Sequence, residues 1–184
     1  MKIALVTDTH FGARNDHDHF NTYFYKFYED IFFPYLKQHN IDTCIHLGDV
    51  MDRRKFVSYK TARDFREKFC ESFVTNDINV HMIVGNHDTY FKNTNEVNSL
   101  DELIGNRYEN IKIYREAETV EFDIPICFLP WINSTNYNST LEKMQKTKAT
   151  VAMGHLEIKG FEMHHGFPSE TGMDKSEFNR FDMV

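Results

Sequence analysis

Apolar runs alternate with amphipathic segments along the first half of the chain. The runs "KIALVT", "TCIHLGD" and "VHMIVGN" each end in a small polar loop, which is typical of buried strands. Two helical segments lie between these runs, so the order of elements is strand, helix, strand, helix, strand. That order predicts parallel strands that are joined by helical crossovers.

Both helical segments carry apolar residues at helical spacing. The spacing within "HFNTYFYKFYEDIFFPYLKQHN" predicts a stripe that packs in the core rather than stacking on bases, made of Phe20, Tyr23, Phe24, Phe27, Tyr28 and Ile31. Pro34 is expected to kink or end this helix, because proline has no backbone N–H. The second segment, "SYKTARDFREKFCESFV", carries its apolar face at Ala62, Phe65, Phe69 and Phe73.

The second half of the chain mixes short strands with a helix. The segments "IKIYRE", "ETVEFD", "ICFLPW" and "ATVAMGH" are predicted strands, and "NSTLEKMQKTK" is a predicted helix. This mixture indicates two sheets packed face to face with helices outside, an α/β sandwich of the αββα type. We find no internal repeat and no linker, so residues 1–184 are expected to form one domain.

Composition narrows the classes of function. Hydrophobic residues make up 41% of the 184 residues and aromatic residues 15%, which excludes a disordered chain. The net charge of −7 argues against binding nucleic acid by bulk charge, so a phosphate substrate has to be attracted locally. The cysteines Cys44, Cys70 and Cys127 are odd in number and widely spaced, which indicates neither a disulfide framework nor a zinc knuckle. We expect a reducing, cytoplasmic compartment and no membrane span.

Ligand-capable side chains follow the ends of four predicted strands. They lie in the words "TDTH", "LGDVMDRR", "VGNHD" and "MGHLE" and are Asp8, His10, Asp49, Asp52, Asn86, His87, Asp88 and His155. Because the carboxyl ends of parallel strands lie at one edge of a sheet, these groups are expected to converge. Carboxylate, imidazole and amide ligands without cysteine indicate divalent cations rather than structural zinc.

A pair of such cations would suit a phosphoester substrate. Two ions roughly 3.5–4 Å apart turn a bridging water into hydroxide near neutral pH and neutralise phosphoryl oxygens. Asp49 follows a glycine, and its two carboxylate oxygens can bridge two ions. The sequence therefore predicts a mechanism by which an acidic protein acts on a polyanion.

The motifs Asp8-x-His10, Gly48-Asp49-x-x-Asp52, Gly85-Asn86-His87-Asp88 and Gly154-His155 resemble the calcineurin-like metallophosphoesterase superfamily. The words "DTHFGAR", "GDVMDRRK", "IVGNHDTYFKN" and "LPW" are more closely similar to the nuclease subunit of the SbcCD and meiotic-recombination-eleven type, in the form found in T-even-like phages. The resemblance covers essentially the whole chain, and four motifs in the family's order make it specific.

The resemblance implies a role for each motif residue. Asp8 and His10 would bind the first metal, Asn86 and His155 the second, and Asp49 would bridge both. His87 matches the family's non-ligand histidine, which contacts the scissile phosphate and protonates the leaving oxygen. Asp88 would orient His87 or brace the loop, which are supporting roles outside the ligand set.

The resemblance also implies partners and an activity. The family's preferred metal is manganese, and its activities are exonuclease action on duplex DNA and endonuclease action on single strands. Its usual partner is an SMC-like ATPase with a long coiled coil, and its members commonly form homodimers through helices near the N-terminal end. For a phage-encoded protein the compartment would be the host cytoplasm.

One departure from the family pattern bears on metal binding. The family closes its site with a downstream Gly-His-x-His motif, whereas the histidines after His155 are His164 and His165, in "EMHHGFP". We therefore expect a nuclease domain over residues 1–184 that lacks the family's last strands and capping region. We also expect that the fold forms and that metal binding is weaker than in the family.

Several residues have a simpler reading. Asp8 with His10, or "GNHD" alone, is also compatible with a surface turn. His46 and His81 are expected to be satisfied interior or sheet-face histidines. His17 and His19 are expected to lie in a solvated loop beside the site rather than in another metal cluster. The cluster Arg53, Arg54 and Lys55 is compatible with a DNA-backbone contact and equally with solvated charge.

Three functions stay open on the sequence alone. The first is a metal-dependent DNA nuclease subunit. The second is a phosphatase or cyclic-nucleotide phosphodiesterase that uses the same metal centre, because the ligands do not distinguish between esters. The third is a scaffold that retains the fold without turnover.

Overall fold

Two β-sheets form the centre of the chain, for which a computed structural model describes residues 1–164 and 166–184. His165 lies outside the described residues. The first sheet is parallel throughout, in the order β1-β2-β3-β4. Its strands are β1 (Ala4–Val6), β2 (Thr43–His46), β3 (Asn79–Ile83) and β4 (Ile111–Tyr114). The predicted parallel opening is therefore confirmed.

The second sheet is mixed, with β5 antiparallel to β6 and β6 parallel to β7. Its strands are β5 (Glu118–Glu121), β6 (Pro125–Leu129) and β7 (Val151–Gly154). A separate hairpin joins β8 (Glu162–His164) and β9 (Phe167–Pro168). The four strands predicted for the second half are thus present: "IKIYRE" gives β4, which completes the first sheet, and the other three form the second sheet.

Strand alternation builds the core between the two sheets and on their outer faces. Tyr114 of β4 packs with Phe128 of β6 between the sheets, in a cluster completed by Ile45, Ile83, Ile126 and Val151. The neighbouring strand residues face outwards onto helices: Val80 packs with the aromatic residues of the first helical layer, and Cys127 packs with Met144 of the second. The αββα sandwich predicted from the sequence is confirmed.

The helices form the outer layers. Helix α1 (Asp18–Phe27) continues through a π-helical turn (Tyr28–Phe32) into α2 (Phe33–Gln38), and α3 (Tyr59–Phe65) continues through a second π-helical turn (Arg66–Cys70) into α4 (Glu71–Thr75). The short α5 (Ser99–Leu103) precedes β4, α6 (Tyr137–Lys146) covers the second sheet, and a 3-10 turn spans Lys175–Phe178. Within the described residues, no helix combines the length and the apolar character that a membrane crossing requires.

The predicted stripe of the first helix is wrong in all but one position. Tyr28 is buried, whereas Phe20, Tyr23, Phe24, Phe27 and Ile31 are exposed. The buried face instead carries Asn21 and Tyr25. Aromatic residues surround this helix, so periodicity does not single out one face, and the π-helical turn shifts the phase of whatever follows it. Contact of Tyr25 and Tyr28 with Phe11, at ring-centroid distances of 6.2 and 6.0 Å, sets the buried face.

Pro34 does not end the first helix. It lies in the first turn of α2, directly after the π-helical turn, and the helix continues to Gln38. The helix is continuous here, but its regular hydrogen-bond pattern is already interrupted by the π-helical turn just before Pro34, which accommodates the missing N–H. The stripe of the second helix, by contrast, is confirmed, because Ala62, Phe65, Phe69 and Phe73 are all buried.

Candidate metal centre

The loops that leave β1, β2, β3 and β7 meet at one edge of the sandwich. Backbone hydrogen bonds connect the first two loops, from the N–H of Asp8 to the carbonyl of Gly48 at 3.1 Å and from the N–H of His10 to the carbonyl of Asp49 at 3.1 Å. The N–H of His155, directly after β7, donates to the carbonyl of Leu129 at 3.0 Å. The predicted ligand residues therefore lie close together, although far apart in sequence.

Three of these residues have backbone angles that side chains seldom adopt. The φ angles of Asp8, His10 and Asp49 are 54°, 42° and 53°, in the left-handed region. Each such residue costs about 1–3 kcal/mol, and residues of this kind cluster at functional sites. The loop hydrogen bonds hold the strained backbone in place and direct the side chains to a common point.

Two glycines allow the loops to approach one another. A Cβ on Gly48 would lie 2.7 Å from Nδ1 of His155, and a Cβ on Gly85 would lie 2.1 Å from the backbone nitrogen of Asp49. Neither position has room for a side chain. The glycines in the words "LGD" and "VGN" are therefore required by close packing at the site.

Asp49 lies at the middle of the cluster and is 4% exposed. Its Oδ1 is 3.4 Å from Nε2 of His155, and its Oδ2 is 3.8 Å from Nε2 of His10. Asp8 reaches the same place from the solvent side, with its Oδ1 3.5 Å from Nε2 of His10. One carboxylate thus faces two imidazoles, one from each of its oxygens.

Two overlapping groups of residues have potential metal-ligand atoms within 4.8 Å of one another. The first contains His10, Asp49 and His87, and the second contains Asp8, Asp49 and His155. This grouping places Asp8 with His155, and His87 with His10, which is a different pairing from the one that the resemblance implies. Asp49 belongs to both groups in either description.

The potential ligand atoms fit a cation, because several hydrogen-bond acceptors face one another. Nδ1 of His155 lies 3.0 Å from the carbonyl of Leu47 and donates to it, so Nε2 presents a lone pair. Oδ1 of Asn86 lies 2.8 Å from that Nε2. The opposite amide orientation would place the amide nitrogen 3.2 Å from both Asp49 oxygens, where it would donate. Without a metal, the amide N–H of Asn86 can donate to these acceptors; with a divalent cation in the pocket, the amide oxygen would be the inward atom.

His87 is held in a defined orientation beside this cluster. Its Nδ1 donates to the backbone carbonyl of Asp52 at 2.6 Å, and its backbone N–H donates to Oδ1 of Asp49 at 2.7 Å. Its ring is perpendicular to that of His10, at a centroid distance of 5.1 Å. Because Nδ1 is occupied, Nε2 is the nitrogen that is free to meet a substrate.

Asp52 supports two histidines, a role that sequence reasoning missed. Its carbonyl orients His87, and its carboxylate Oδ1 lies 3.6 Å from Nδ1 of His10. That Nδ1 is buried and has no hydrogen-bond partner among the described residues. The carboxylate is visible in the word "GDVMD", but a role played by the backbone carbonyl leaves no signal in the sequence.

Asp88 braces the loops, and it does not contact His87 through a side-chain hydrogen bond in the described part of the chain. Its carboxylate accepts from the backbone N–H groups of Met51 at 2.9 Å, Gly85 at 2.9 Å and Val50 at 3.3 Å. Burial raises the pKa of Asp88 to about 6, and the three donors act in the opposite direction. Of the two roles implied by the resemblance, the geometry matches loop bracing.

His46 is buried on β2, and His81 is half-buried on β3, where its Nδ1 lies 2.7 Å from the hydroxyl of Tyr114. His46 accepts from the N–H of Gly48 at 3.2 Å through Nδ1, so its Nε2 carries the proton shared with Thr9 at 3.0 Å. Burial lowers the pKa of His46 to about 3 and that of His81 to about 4, so both are neutral at pH 7. His17 and His19 are exposed as expected, but the prediction of a loop is wrong for His19, which lies in the first turn of α1 directly after His17.

The sequence profile of the calcineurin-like phosphoesterase family matches residues 1–183. Exonuclease subunit 1 of Enterobacteria phage T4 is 32% identical over 170 residues, which are 92% of this chain and 49% of that relative. The chain therefore spans about half the length of the curated relative that it matches.

Solved structures show weaker likeness. A protein of unknown function from Aquifex aeolicus is 15% identical, with a TM-score of 0.49 over 99% of this chain and 87% of that one. The nuclease MPE of Pseudomonas putida is 21% identical, with a TM-score of 0.38 over 68% of this chain and 52% of that one. A dimetal phosphatase from Danio rerio is 12% identical, with a TM-score of 0.37 over 68% and 42%.

Proposed function

The chain belongs to the calcineurin-like phosphoesterase family, and from this membership and the geometry of the site we propose that it hydrolyses phosphodiester bonds in DNA with two divalent cations, manganese being the expected metal. The observation that carries the proposal is the acceptor cluster around Asp49, which is shared by two groups of potential ligands. A phosphodiesterase needs this arrangement because it must collect positive charge next to a polyanion.

DNA is the proposed substrate because of one relative. The matched phage protein is named an exonuclease subunit, and the matched region covers most of this chain. The word "subunit" in that name supports a partner protein in a nuclease complex. We propose a role in DNA recombination and repair, with an SMC-like coiled-coil ATPase as the partner and the host cytoplasm as the compartment.

The chain's own side chains supply the ligands in this proposal. Asp8 and His10 would hold one cation, Asn86 and His155 the other, and Asp49 both. When bound, the cations would activate water and neutralise the charge that develops on the phosphoryl oxygens. The loops position these ligands before substrate arrives, since backbone hydrogen bonds already join them.

His87 is the proposed general acid. The carbonyl of Asp52 holds the proton on Nδ1, so any second proton resides on Nε2 and can pass to the leaving oxygen. Imidazole is suited to this transfer because it gains and loses a proton near neutral pH. The leaving alkoxide would otherwise depart with a full negative charge.

Replacement of His87 by alanine tests this assignment. We expect manganese-dependent release of nucleotides from linear duplex DNA to fall about 10²–10⁴-fold, because a positioned general acid contributes that much to rate. His39→Ala, outside the cluster and in the loop after α2, is the matched control and should retain activity. Unchanged nuclease activity in purified His87→Ala would remove His87 from the mechanism.

A parallel assay on a small aryl phosphodiester separates the remaining functions. Hydrolysis of the aryl ester without action on DNA would favour a phosphatase or cyclic-nucleotide phosphodiesterase. Turnover of neither substrate with manganese present would favour a scaffold that retains only the fold. Hydrolysis of both, abolished by chelation of the metal, is the outcome that the proposal expects.

Self-association is proposed through helix α1 and the π-helical turn that follows it. The exposed apolar residues of this segment include Tyr23 in α1 and Ile31 in the turn. Contiguous apolar surface of this kind is common where proteins associate. We expect a dimeric mass by light scattering at high protein concentration and a monomeric mass for Tyr23→Glu/Ile31→Glu, with manganese binding unchanged. A monomeric wild type at that concentration would contradict the proposal.

A further inference from the structure

The two loops that flank the candidate metal centre carry exposed aromatic rings. Phe56 follows β2 and is 63% exposed, and Tyr90 and Phe91 follow β3 and are 40% and 49% exposed. Tyr90 and Phe91 meet edge to face, with ring centroids 4.7 Å apart. Exposed aromatic rings grouped beside a site are typical of a surface that binds a partner.

Cations lie against two of these rings. The guanidinium of Arg53 lies 4.6 Å from the ring centroid of Phe56, and Nζ of Lys55 lies 5.7 Å from that of Tyr90. A cation placed against a ring in this way can also meet the phosphate next to a stacked base. We call Phe56, Tyr90 and Phe91, with Arg54 and Lys55, the aromatic platform.

The platform is locally basic on an acidic protein. The chain has a net charge of −7, yet residues 52–60, "DRRKFVSYK", contain four basic residues and one acidic residue. Arg53 pairs with Asp16. Arg54 and Lys55 form no ion pair with any carboxylate in the described part of the chain, and Arg54 donates instead to Thr89 at 2.9 Å. Their charge is therefore available to an anionic partner.

Hydrogen bonds connect the platform to the proposed site. The hydrogen bond between Arg54 and Thr89 connects the loop after β2 with the loop after β3. The hydrogen bond between the Asp52 carbonyl and His87 connects the same two loops beside the Asp49 cluster. A strand lying on the platform would thus run directly into the candidate metal centre. This continuity favours a substrate over a protein partner as the occupant.

We propose that the aromatic platform stacks on unpaired bases of a nucleic-acid strand and so directs single-stranded DNA, or the frayed end of a duplex, into the site. The inference rests on the proposed function and names the substrate form. Bases inside a duplex are already stacked on one another and have no free face, whereas an unpaired base offers one. The neighbouring cations bind the phosphates between the bases.

Binding measured without divalent metal tests the platform separately from hydrolysis. In EDTA, fluorescence anisotropy with a labelled oligo(dT) strand should show tighter binding than with a blunt hairpin duplex of equal charge. Tyr90→Ala and Phe56→Ala should each weaken oligo(dT) binding about tenfold, because one base–aromatic stack is lost. Tyr90→Phe should bind like the wild type, since stacking requires the ring and not the hydroxyl.

An abasic oligonucleotide with the same phosphates identifies the contact. Wild type and Tyr90→Ala should bind it equally, because it has no bases to stack. Tyr35→Ala, in α2 and 54% exposed, is the matched control and should bind oligo(dT) like the wild type. Equal weakening on abasic and normal strands, or wild-type oligo(dT) affinity in Tyr90→Ala, would overturn the proposal, as would duplex binding as tight as single-strand binding.

The two proposals fail in different ways. Loss of the proposed function would appear as absent aryl phosphodiester hydrolysis by the wild type, with oligonucleotide binding in EDTA intact. Loss of the platform would appear as binding that is insensitive to the aromatic variants, with aryl ester hydrolysis intact. Thermal unfolding of each variant is the control, and it should show that these substitutions at exposed positions leave the fold unchanged.

Discussion

Asp49→Asn is expected to lower manganese-dependent phosphodiester hydrolysis about a thousandfold or more, because both ligand groups lose a shared charged ligand. Its two oxygens lie 3.4 and 3.8 Å from the imidazoles of His155 and His10, so the same carboxylate serves both ligand groups. Asparagine keeps the shape and can still accept the N–H of His87, but it removes the charge that balances the cations.

Isothermal titration calorimetry with manganese provides the direct measurement for Asp49→Asn. We expect weaker binding for both ions, since one shared ligand is lost. Asp77→Asn is a matched control, because Asp77 is exposed and has a similar φ of 56°, against 53° for Asp49. If Asp49→Asn bound manganese and cleaved substrate as the wild type does, the cluster would not be the metal centre.

Gly85→Ala is expected to abolish metal binding and to lower activity about a hundredfold or more, although no ligand atom is removed. The new methyl group would lie 2.1 Å from the backbone nitrogen of Asp49 and 2.4 Å from its Oδ1. Backbone cannot move aside as a flexible side chain does, so the loops after β2 and β3 must separate. Overpacking of this kind also lowers the free energy of unfolding by about 1–3 kcal/mol or more.

The control for Gly85→Ala is Gly160→Ala. Gly160 has a φ of 85° and no heavy atom within 4 Å of an added Cβ, so this change introduces backbone strain without a clash. In manganese calorimetry, Gly160→Ala should bind the metal as the wild type does, and denaturant unfolding should show that its fold is intact. Wild-type manganese affinity in Gly85→Ala would mean that the close approach of the two loops is not needed for the site.

The sequence was sufficient where local chemistry and periodicity agree. The parallel opening followed from apolar runs that end in polar loops, and the convergence of Asp8, Asn86 and His155 followed from the rule that parallel strands end at one edge. The second helix was also predicted correctly, because only one of its faces carries the apolar residues Phe65, Phe69 and Phe73. In each case the sequence pattern is compatible with only one arrangement of the strands or of the helix face.

The sequence was insufficient where several solutions have similar local energy. The first helix has aromatic residues on every side, so its buried face depends on contacts with Phe11 and Phe69, which are made only in the folded chain. The support of His87 by a backbone carbonyl has no side-chain signature, since every residue has a carbonyl. The role of Asp88 stayed open between two alternatives because its partners are backbone N–H groups, which the sequence does not identify.

The amino-acid sequence by itself determined the kinds of elements, their order and the chemical types gathered at the strand ends, because these depend on spacing along the chain and on side-chain chemistry. The tertiary structure alone decided which helix face is covered, which atoms of Asp49 meet which histidine, and which aromatic rings stay in water beside the site. Those features depend on distances between segments remote in sequence, and such distances exist only after long-range packing has brought the segments together.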